Sequence, residues 1–358
     1  MRVLVWPAGW EDDATSQYRL LMPARALAGE GADVVVDRTG PTVVWDREWH
    51  GTTPPADANV WSVYRPDADV VVLQRPGRRW WTDIIPHLQL RGVRVVVDVD
   101  DRFDLIPRRN VAAPGYRPRV GSTHSYEWID RACRLADTVT CSTLALRDRY
   151  GYGHGMVLPN LVPERYLSVE PAEKRDAVGW AGSVDTHPGD LEVTEGALPR
   201  ALHGTDWGVH VVGTGKGVRR ALRLEAEPSV TGWVPFERYP GCVAEIGIGI
   251  VPLHDSPFNA CKSALKAAEM ASLGVPVVMS PTPDNRRLHG LGVGELADSP
   301  GQWRRWLSRL IRSAEARADL AGRGREAMAG QTYERLCGRW WQAWEGAPRT
   351  TKELVHAG

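Results

Sequence analysis

The stretch IGIGIVPLHDSPFNACKSALKAAEMASLGVPVVMS, residues 246–280, is the most informative part of the chain. Its apolar ends, 246–253 and 275–279, predict two buried strands, because strands covered on both faces are apolar throughout. Between them a loop leads into a predicted helix over about 262–273. Since strand, helix and strand in this order form the unit of a parallel sheet, the stretch predicts an α/β fold.

Three charged residues share one face of the predicted helix. Lys262, Lys266 and Glu269 follow one another at i, i+4 and i+7. A solvated Lys/Glu face would also explain them. However, only five of the 44 Lys and Arg residues are lysines, which indicates that a compact ammonium group is needed here. Lys262 in the first helical turn would oppose the helix dipole unless an anion binds there, so we expect a phosphate or diphosphate site.

The same stretch resembles the signature helix of retaining glycosyltransferases of the GT-B fold, of the family 4-like type. In those enzymes a helix carries the second glutamate of a Glu-seven-residues-Glu motif and precedes Gly-x-Pro-Val-Val. Here Glu269 is followed by Met-Ala-Ser-Leu-Gly-Val-Pro-Val-Val. The resemblance implies that Glu269 binds the donor ribose and that the preceding loop faces the sugar and the diphosphate.

The chain departs from the family pattern at the first glutamate, where it has Cys261. A thiol cannot replace a carboxylate in hydrogen bonds to sugar hydroxyls. The chain therefore resembles an atypical subgroup with a Cys-Lys-Ser-x-x-Lys-x-x-Glu helix and phage-associated relatives. Its expected donor contacts in this segment are Phe258, Asn259, Cys261 and Ser263.

Apolar runs separated by helical stretches continue on both sides of this segment. A predicted first helix covers 17–28, with Pro23 as a possible kink, and a Pro- and charge-rich linker follows residue 158. We therefore predict a first lobe over 1–168, a donor lobe over 169–330 and a terminal helix over 331–358 that crosses back. The remaining predicted strands are 3–6, 34–36, 70–73, 93–97, 138–141, 156–158, 178–181, 209–212 and 230–234.

Two further segments of the second half resemble donor-binding loops. A predicted strand ends at Gly182 and Ser183, a turn that similar enzymes place against the diphosphate, although an ordinary strand-to-helix turn is equally consistent with these residues. His187 follows as a candidate phosphate donor or a plain loop residue, and Asp190 as a helix N-cap. The segment with Trp233, Val234 and Tyr239 resembles the loop that contacts the nucleotide base. Gly213-Thr-Gly-Lys-Gly217 lacks the spacing of a phosphate loop.

Acidic residues mark the corresponding edge of the first half. Asp98, Asp100 and Asp101 end a predicted buried strand and are expected to face the cleft. They would bind the acceptor or the donor sugar, form an Asp-x-Asp metal site, or cap a helix through Asp101 or Asp104. The acceptor side is also expected to include the helix start Gln17-Tyr18-Arg19 and His124.

Composition excludes some classes of protein. Basic and acidic residues balance at 44 each, so no global charge favours nucleic acid or an anionic membrane. Five cysteines without close pairs indicate neither a disulfide framework nor a zinc site, and no apolar run reaches the ~20 residues of a membrane span. We expect a cytoplasmic protein without a cofactor or metal. The stretches 78–81 and 339–344 alternate cations with aromatic residues, and we expect both to serve core packing. Residues 78–81 could instead extend a platform for the acceptor.

The resemblance implies transfer of a glycosyl unit from a nucleoside diphosphate sugar, with UDP as the guessed nucleotide, to a hydroxyl group. In that reaction Lys262, Lys266, Asp100 and Asp101 are the expected catalytic residues. The hydroxyl could belong to a hydroxymethylated base in phage DNA. A non-catalytic nucleotide-sugar-binding protein is the other alternative, because of Cys261.

Overall fold

A computed structural model describes residues 1–9, 13–48, 58–119, 122, 124–170 and 173–346. The first lobe contains a six-stranded parallel sheet in the order β2-β1-β5-β6-β7-β8 and a separate antiparallel hairpin, β3–β4. The central strands are buried on both faces, which explains their unbroken apolar sequences. Its strands are β1 Arg2–Trp6, β2 Asp33–Val36, β3 Val43–Trp45, β4 Val60–Val63, β5 Val70–Gln74, β6 Arg94–Val99, β7 Thr138–Cys141 and β8 Gly155–Val157.

The second lobe repeats this architecture with a six-stranded parallel sheet in the order β11-β10-β9-β12-β13-β14. The predicted fold class, two Rossmann-like lobes facing across a cleft, is confirmed. The predicted strand over 230–234 ends early, so its last residues belong to a loop. The strands are β9 Ala177–Ser183, β10 Gly208–Thr214, β11 Ser229–Thr231, β12 Ile248–Val251, β13 Val277–Met279 and β14 Glu295–Leu296.

Helices cover the sheets. Short 3-10 turns span Phe103–Leu105, Glu164–Ser168, Leu191–Thr194 and Asn259–Cys261. The helices are α1 Ala14–Ser16, α2 Met22–Gly29, α3 Arg79–Leu90, α4 Ala113–Tyr116, α5 Tyr126–Leu135, α6 Leu144–Tyr150, α7 Ala197–Leu202, α8 Val218–Leu222, α9 Tyr239–Ala244, α10 Leu265–Ser272, α11 Pro283–Gly290, α12 Pro300–Arg312, α13 Ala314–Ala329, α14 Tyr333–Leu336 and α15 Gly338–Glu345.

The helix predicted over 262–273 begins three residues later than expected, at Leu265. Lys262 has an extended backbone (ψ 142°) and therefore precedes the helix, so the dipole argument made for it is wrong. That argument applies to Lys266 instead, the second residue of α10. The shift has a tertiary cause, because the Asp284 carboxylate of α11 accepts a hydrogen bond from the Ala264 amide at 2.7 Å. A capping residue 20 positions downstream leaves no local signal.

The predicted helix over 17–28 is interrupted by a π-turn, Gln17–Leu21, between α1 and α2. The turn ends two residues before Pro23, which has no amide hydrogen to donate. All five of its residues are buried. Because π-turns inside helices occur frequently at functional sites, this segment is a candidate part of the site.

The C-terminal helices return to the first lobe, as predicted. Tyr333 of α14 donates a hydrogen bond to the backbone oxygen of Tyr18, and α15 packs against α2, β5 and β7. Trp340 and Trp344 are fully buried, so this tryptophan-rich stretch serves packing. Residues 347–358 of the predicted terminal segment lie outside the described residues. Across the described ranges, no helix combines the length and apolarity that a membrane crossing requires.

Candidate functional site

A cavity of about 260 Å³, here called the central cavity, lies between the lobes. The first lobe contributes α1, the π-turn and the loops after β5 and β6, and the second lobe contributes the loops after β9 and β12. Carboxyl ends of parallel strands therefore form both walls, which is where open α/β sheets bind ligands. Its charged and polar lining residues are Thr15, Tyr18, Arg19, Arg75, Asp100, Asp101, Asn160, His187, Lys262, Ser263 and Lys266.

The two lysines of the central cavity differ in what surrounds them. The ammonium of Lys262 lies over the Phe258 ring at 4.8 Å and forms no hydrogen bond or ion pair with the described residues. Lys266 Nζ lies 3.5 Å from Glu269 Oε2 and donates to the Tyr239 hydroxyl at 3.0 Å. Burial alone would lower the pKa of Lys266, but Glu269 raises it above its ordinary value. Lys262 is thus the cation whose charge is available to a ligand.

Glu269 lies at the border with a second cavity, of about 110 Å³, here called the nucleoside cavity. Its side chain is 2% exposed, and it accepts hydrogen bonds from Tyr18 and from Tyr239, the latter at 3.0 Å. Burial raises the pKa of Tyr18, and the neighbouring Glu269 raises it further. The phenol therefore stays protonated and acts as a hydrogen-bond donor. Tyr18 belongs to the π-turn, so the first lobe orients the carboxylate of the second.

Glycines at the ends of β9 and β10 form another wall of the nucleoside cavity. Gly213 has φ +126°, and a Cβ atom there would lie 2.3 Å from the Gly182 backbone oxygen. Only glycine allows the two strand ends to come this close. Trp233 is 77% exposed at the same cavity and donates from its indole to Thr214 at 2.9 Å. The backbone at these glycines, beside the flat indole of Trp233, suits the binding of a nucleoside.

His187 is held in the central cavity by a carboxylate. Its Nδ1 lies 3.0 Å from Asp190 Oδ2, and its ring meets Trp180 edge-on at 6.1 Å. Burial lowers the pKa of His187, only partly offset by Asp190, so the ring is neutral in the free protein. Asp190 occupies the predicted N-cap position, before the Leu191–Thr194 turn, but its side chain does not cap that turn. Its other oxygen accepts from the His254 amide and from Asn259, at 3.0 and 2.7 Å.

Arg75 follows β5 on the first-lobe side of the central cavity. It adopts a left-handed backbone (φ 47°), which is costly for a residue other than glycine and is concentrated at functional sites. Its guanidinium pairs with both oxygens of Asp100 and donates to Thr15 at 3.1 Å. Asp101 accepts from the Arg102 amide at 2.9 Å. Burial raises the pKa of the Asp101 carboxyl, although Lys262 opposes this shift.

Asp98 does not face the cleft as expected. It is 1% exposed and pairs with Arg19 of the π-turn at 2.7 and 3.0 Å. Arg19 also donates to Asn160 at 2.9 Å, and Asn160 donates to Ser263 at 2.8 Å. The buried pair thus begins a chain of hydrogen bonds that crosses between the lobes to the loop bearing Lys262.

Cys261 is directed toward the first lobe. It is 2% exposed, and its backbone oxygen accepts from Thr143 at 2.9 Å. It and Phe258 belong to the apolar cluster of the first lobe. Burial raises the pKa of the thiol, against the hydrogen bond from Arg102. Residue 261 therefore joins the lobes, and the missing glutamate does not leave a gap in the central cavity.

Two more cavities lie at strand ends. The first-lobe cavity, about 360 Å³, lies beyond β1 and β5 and shares Arg75 with the central cavity. The second-lobe cavity, about 610 Å³, is lined by polar loops after the Leu191–Thr194 turn, β12 and β13.

The predicted site residues divide by location. All four expected catalytic residues line the central cavity, together with Tyr18, Arg19, His187 and Ser263. His124 lines the first-lobe cavity. Five expected donor contacts line the nucleoside cavity: Gly182, Trp233, Val234, Tyr239 and Glu269. Six expected contacts line none of these cavities: Gln17, Asp98, Ser183, Phe258, Asn259 and Cys261.

Sequence reasoning missed Thr15, Arg75, Asn160 and Trp180, which also line the central cavity. For Arg75 a signal existed, because it comes two residues after the predicted strand 70–73, at the edge where ligands bind. Asn160 lies in the predicted linker, where nothing in the sequence marks an inter-lobe contact.

No protein-family model matches the chain, and no curated protein sequence does. Solved structures match its fold. Sucrose-phosphate synthase from Thermosynechococcus elongatus is 13% identical, with a TM-score of 0.62 over 100% of both chains. Alr3699/HepE from Anabaena, in complex with UDP, is 11% identical with a TM-score of 0.61, over 96% of this chain and 100% of that one.

An alpha-glucosyltransferase in complex with UDP-glucose and DNA containing an abasic site is 11% identical. Its TM-score is 0.62, over 95% of this chain and 98% of that one. At these identities the likeness concerns the fold alone. The fold shared by these proteins is GT-B, as the sequence predicted.

Proposed function

We propose that this chain is a glycosyltransferase that moves a sugar from a nucleoside diphosphate sugar, with UDP as the first candidate, to a hydroxyl acceptor. The supporting observation is that the nucleoside and central cavities are adjacent, since Lys266 lines both. The nucleoside cavity offers Glu269 and the flat indole of Trp233 to a nucleoside. The central cavity offers the ammonium of Lys262 to a diphosphate. GT-B neighbours solved with UDP and UDP-glucose support this choice.

The proposed sugar transfer depends on stabilising the negative charge that develops on the leaving group. As the glycosidic bond breaks, negative charge grows on the leaving diphosphate, and cations already in place there lower the barrier. Lys262 supplies that charge, and Lys266 adds to it. We propose that the configuration of the sugar is retained, because the helix bearing Glu269 resembles that of retaining enzymes.

The carboxylates of the first lobe are better suited to positioning the arginines that they pair with than to binding a metal ion. Asp98 is paired with Arg19 and Asp100 with Arg75, which disfavours the Asp-x-Asp metal hypothesis. In the described part of the chain, His, Cys, Asp and Glu side chains nowhere group in threes around a possible ion site. Asp104 pairs with Arg102 at 2.9 Å, so it does not serve as the helix cap considered above.

The test is a panel of UDP-, GDP-, ADP- and TDP-sugars, scored by thermal shift and by release of the nucleoside diphosphate. Binding to the native state raises the melting temperature. We expect one nucleotide class to stabilise the protein, and Lys262→Ala/Lys266→Ala to abolish turnover with an unchanged circular dichroism spectrum. Full turnover in the double variant would contradict the proposal.

A hydroxymethylated base in DNA is the second candidate acceptor, since one structure of this fold contains DNA. The non-catalytic alternative loses its motivation, because Cys261 does not line the central cavity. We place the reaction in the cytoplasm, where cysteines stay reduced; all five are free thiols here.

A further inference from the structure

The second-lobe cavity has no part in the proposed sugar transfer. It lies at the carboxyl ends of β12, β13 and β14, and α/β proteins bind ligands at this edge of a parallel sheet. It shares Leu253 with the central cavity, and no described residue with the nucleoside or first-lobe cavity. Its volume of about 610 Å³ falls within the usual range of ligand pockets, roughly 300–1,000 Å³. It is therefore a separate pocket of the size that a small molecule requires.

Three segments of the second lobe bring four carboxylates to the rim of this cavity: Glu192, Glu195, Asp255 and Asp298. None of them forms an ion pair with a described residue, although the chain has 44 basic residues for its 44 acidic ones. Arg286 is the single lysine or arginine among the described lining residues, and its Nε donates to the Pro281 backbone oxygen at 3.0 Å. The negative charge of the rim is thus largely uncompensated, which favours a cationic ligand.

A metal ion does not account for this charge. Among the described residues, acidic, histidine and cysteine side chains do not come together in groups of three that could hold an ion. The four carboxylates belong to the Leu191–Thr194 turn, the residue after it, and the loops that follow β12 and β14. Their charge is therefore spread along the rim. Such an arrangement matches an organic cation, whose ammonium groups are separated by carbon atoms, better than a point charge.

The floor of the second-lobe cavity contains buried donors that lack an acceptor. Trp303 is 1% exposed and lines the cavity, yet its indole N–H has no acceptor among the described residues. A buried indole N–H ordinarily has a partner. Ser280 is 5% exposed, and its Oγ accepts from the Leu253 amide at 2.9 Å, so its own hydrogen remains to be donated. These two donors indicate ligand oxygen atoms, independently of the carboxylates.

Rim and floor together define the chemistry of the ligand. Ammonium groups would pair with the rim carboxylates, and hydroxyl oxygens would accept from Trp303 and Ser280. A polyamine without oxygen atoms would leave the two buried donors unpaired, which costs free energy. A neutral sugar would leave the charge of the rim unused, and an anion would be repelled by it.

We propose that the second-lobe cavity binds a small hydroxylated amine, of the amino sugar or aminocyclitol class, with its ammonium groups at the rim and its hydroxyl oxygens at the floor. The inference goes beyond the proposed function and does not depend on it, because this ligand binds outside the central and nucleoside cavities.

The test is isothermal titration calorimetry on the full chain at low ionic strength, where charged groups are least screened. The probes are 2-deoxystreptamine, which has two amino groups, and glucosamine, with glucose as its neutral counterpart and trilysine as a peptide cation. We expect 2-deoxystreptamine to bind most tightly, and glucosamine to bind about tenfold more tightly than glucose, since hydrogen bonds between charged groups are the stronger ones.

UDP should change the dissociation constants of both amines by less than about twofold, because independent sites are not coupled. Three results would overturn the inference: no binding of either amine, binding of trilysine alone, or displacement of the amines by UDP.

Two double variants locate the charged rim. Glu192→Gln combined with Asp298→Asn should weaken 2-deoxystreptamine binding by about tenfold or more, because two charge-assisted contacts are lost. Glu225→Gln combined with Glu326→Gln is the matched control, since it removes two exposed carboxylates that do not line the cavity. An equal loss in the two proteins would refute the location, because it would mean that only the net charge matters.

Trp303→Phe tests the floor, because it keeps an aromatic ring in the core and removes the N–H. It should weaken 2-deoxystreptamine by about fivefold and leave spermidine, a polyamine without oxygen atoms, within about twofold. An unchanged melting temperature shows that the variant is folded. Equal weakening of the two amines would contradict the proposed contact between Trp303 and a ligand oxygen.

Discussion

Lys262 and Lys266 lie four positions apart, yet their surroundings give them different roles. Lys266 is tied to Glu269 and Tyr239, so part of its charge is already neutralised. Lys262 contacts only an aromatic face by its ammonium among the described residues. The scarcity of lysine in the sequence identified both positions, but it could not distinguish them. The difference arises from Tyr239, which comes from another helix.

Lys262→Ala should therefore weaken UDP binding by roughly 10- to 100-fold, since a hydrogen bond to a charged group contributes about 1.5–3 kcal/mol. Binding of uridine should change little, because uridine has no diphosphate. Isothermal titration calorimetry with both ligands measures the difference. Lys216→Ala is the matched control, as Lys216 is exposed beside the glycine-rich turn. An equal loss in that control would favour the phosphate-loop hypothesis for 213–217.

Asp101 is the second residue whose environment predicts a measurement. Because burial raises its pKa, the protonated carboxyl favours folding at acidic pH, and this contribution is lost as pH rises through the folded-state pKa. Above that pH, burying the charge costs stability.

Asp101→Asn should accordingly raise the melting temperature at pH 7 by roughly 2 °C, in line with about 1 kcal/mol for such changes. The gain should shrink as pH falls toward 4. Calorimetry of both proteins across this range provides the test. A variant that is less stable at pH 7 would show that Lys262 outweighs burial.

At the scale of elements, the parallel strands were predictable because burial on both faces makes them apolar. The hairpin β3–β4 was missed, since its short strands are only partly buried and show no clear alternation. The start of α10 was misplaced because its capping carboxylate, Asp284, comes from α11. The π-turn was read as ordinary helix, and with it the buried role of Arg19 was missed. For α10 and for Arg19 the deciding contact, with Asp284 and with Asp98, is distant in sequence.

The buried Arg19–Asp98 pair joins the π-turn to β6. Burial alone would lower the pKa of Arg19, but Asp98 raises it, so the guanidinium stays charged. Arg19→Met should destabilise the fold by about 3–5 kcal/mol, because Asp98 would remain as an unpaired buried charge.

Arg19→Met combined with Asp98→Asn should lose less stability than the sum of the two single variants. Urea unfolding of the four proteins gives this coupling. Additive losses would mean that the pair does not hold the π-turn in place.

At the scale of the whole molecule, the lobes are joined by more than the linker. Tyr18 reaches Glu269, Asn160 reaches Ser263, and the 258–261 turn packs into the first lobe. The sequence predicted two lobes and a returning helix, but not these contacts, since each joins residues that are over 100 positions apart. These contacts hold the second lobe against the first.

The returning helix α15 should be essential to the first lobe. Trp344 is fully buried, so Trp344→Ala should cost about 3–5 kcal/mol of unfolding free energy. Denaturant titration measures the loss, with Trp61→Ala as control because Trp61 is 74% exposed. Equal stability of the two variants would contradict the packing role of α15.

A crystal structure of the protein with UDP would show directly where the donor binds. We expect the diphosphate within hydrogen-bonding distance of Lys262 and Lys266, with the ribose beside Glu269 in the nucleoside cavity. UDP bound elsewhere, for example in the second-lobe cavity lined by Glu192 and Arg286, would contradict this expectation.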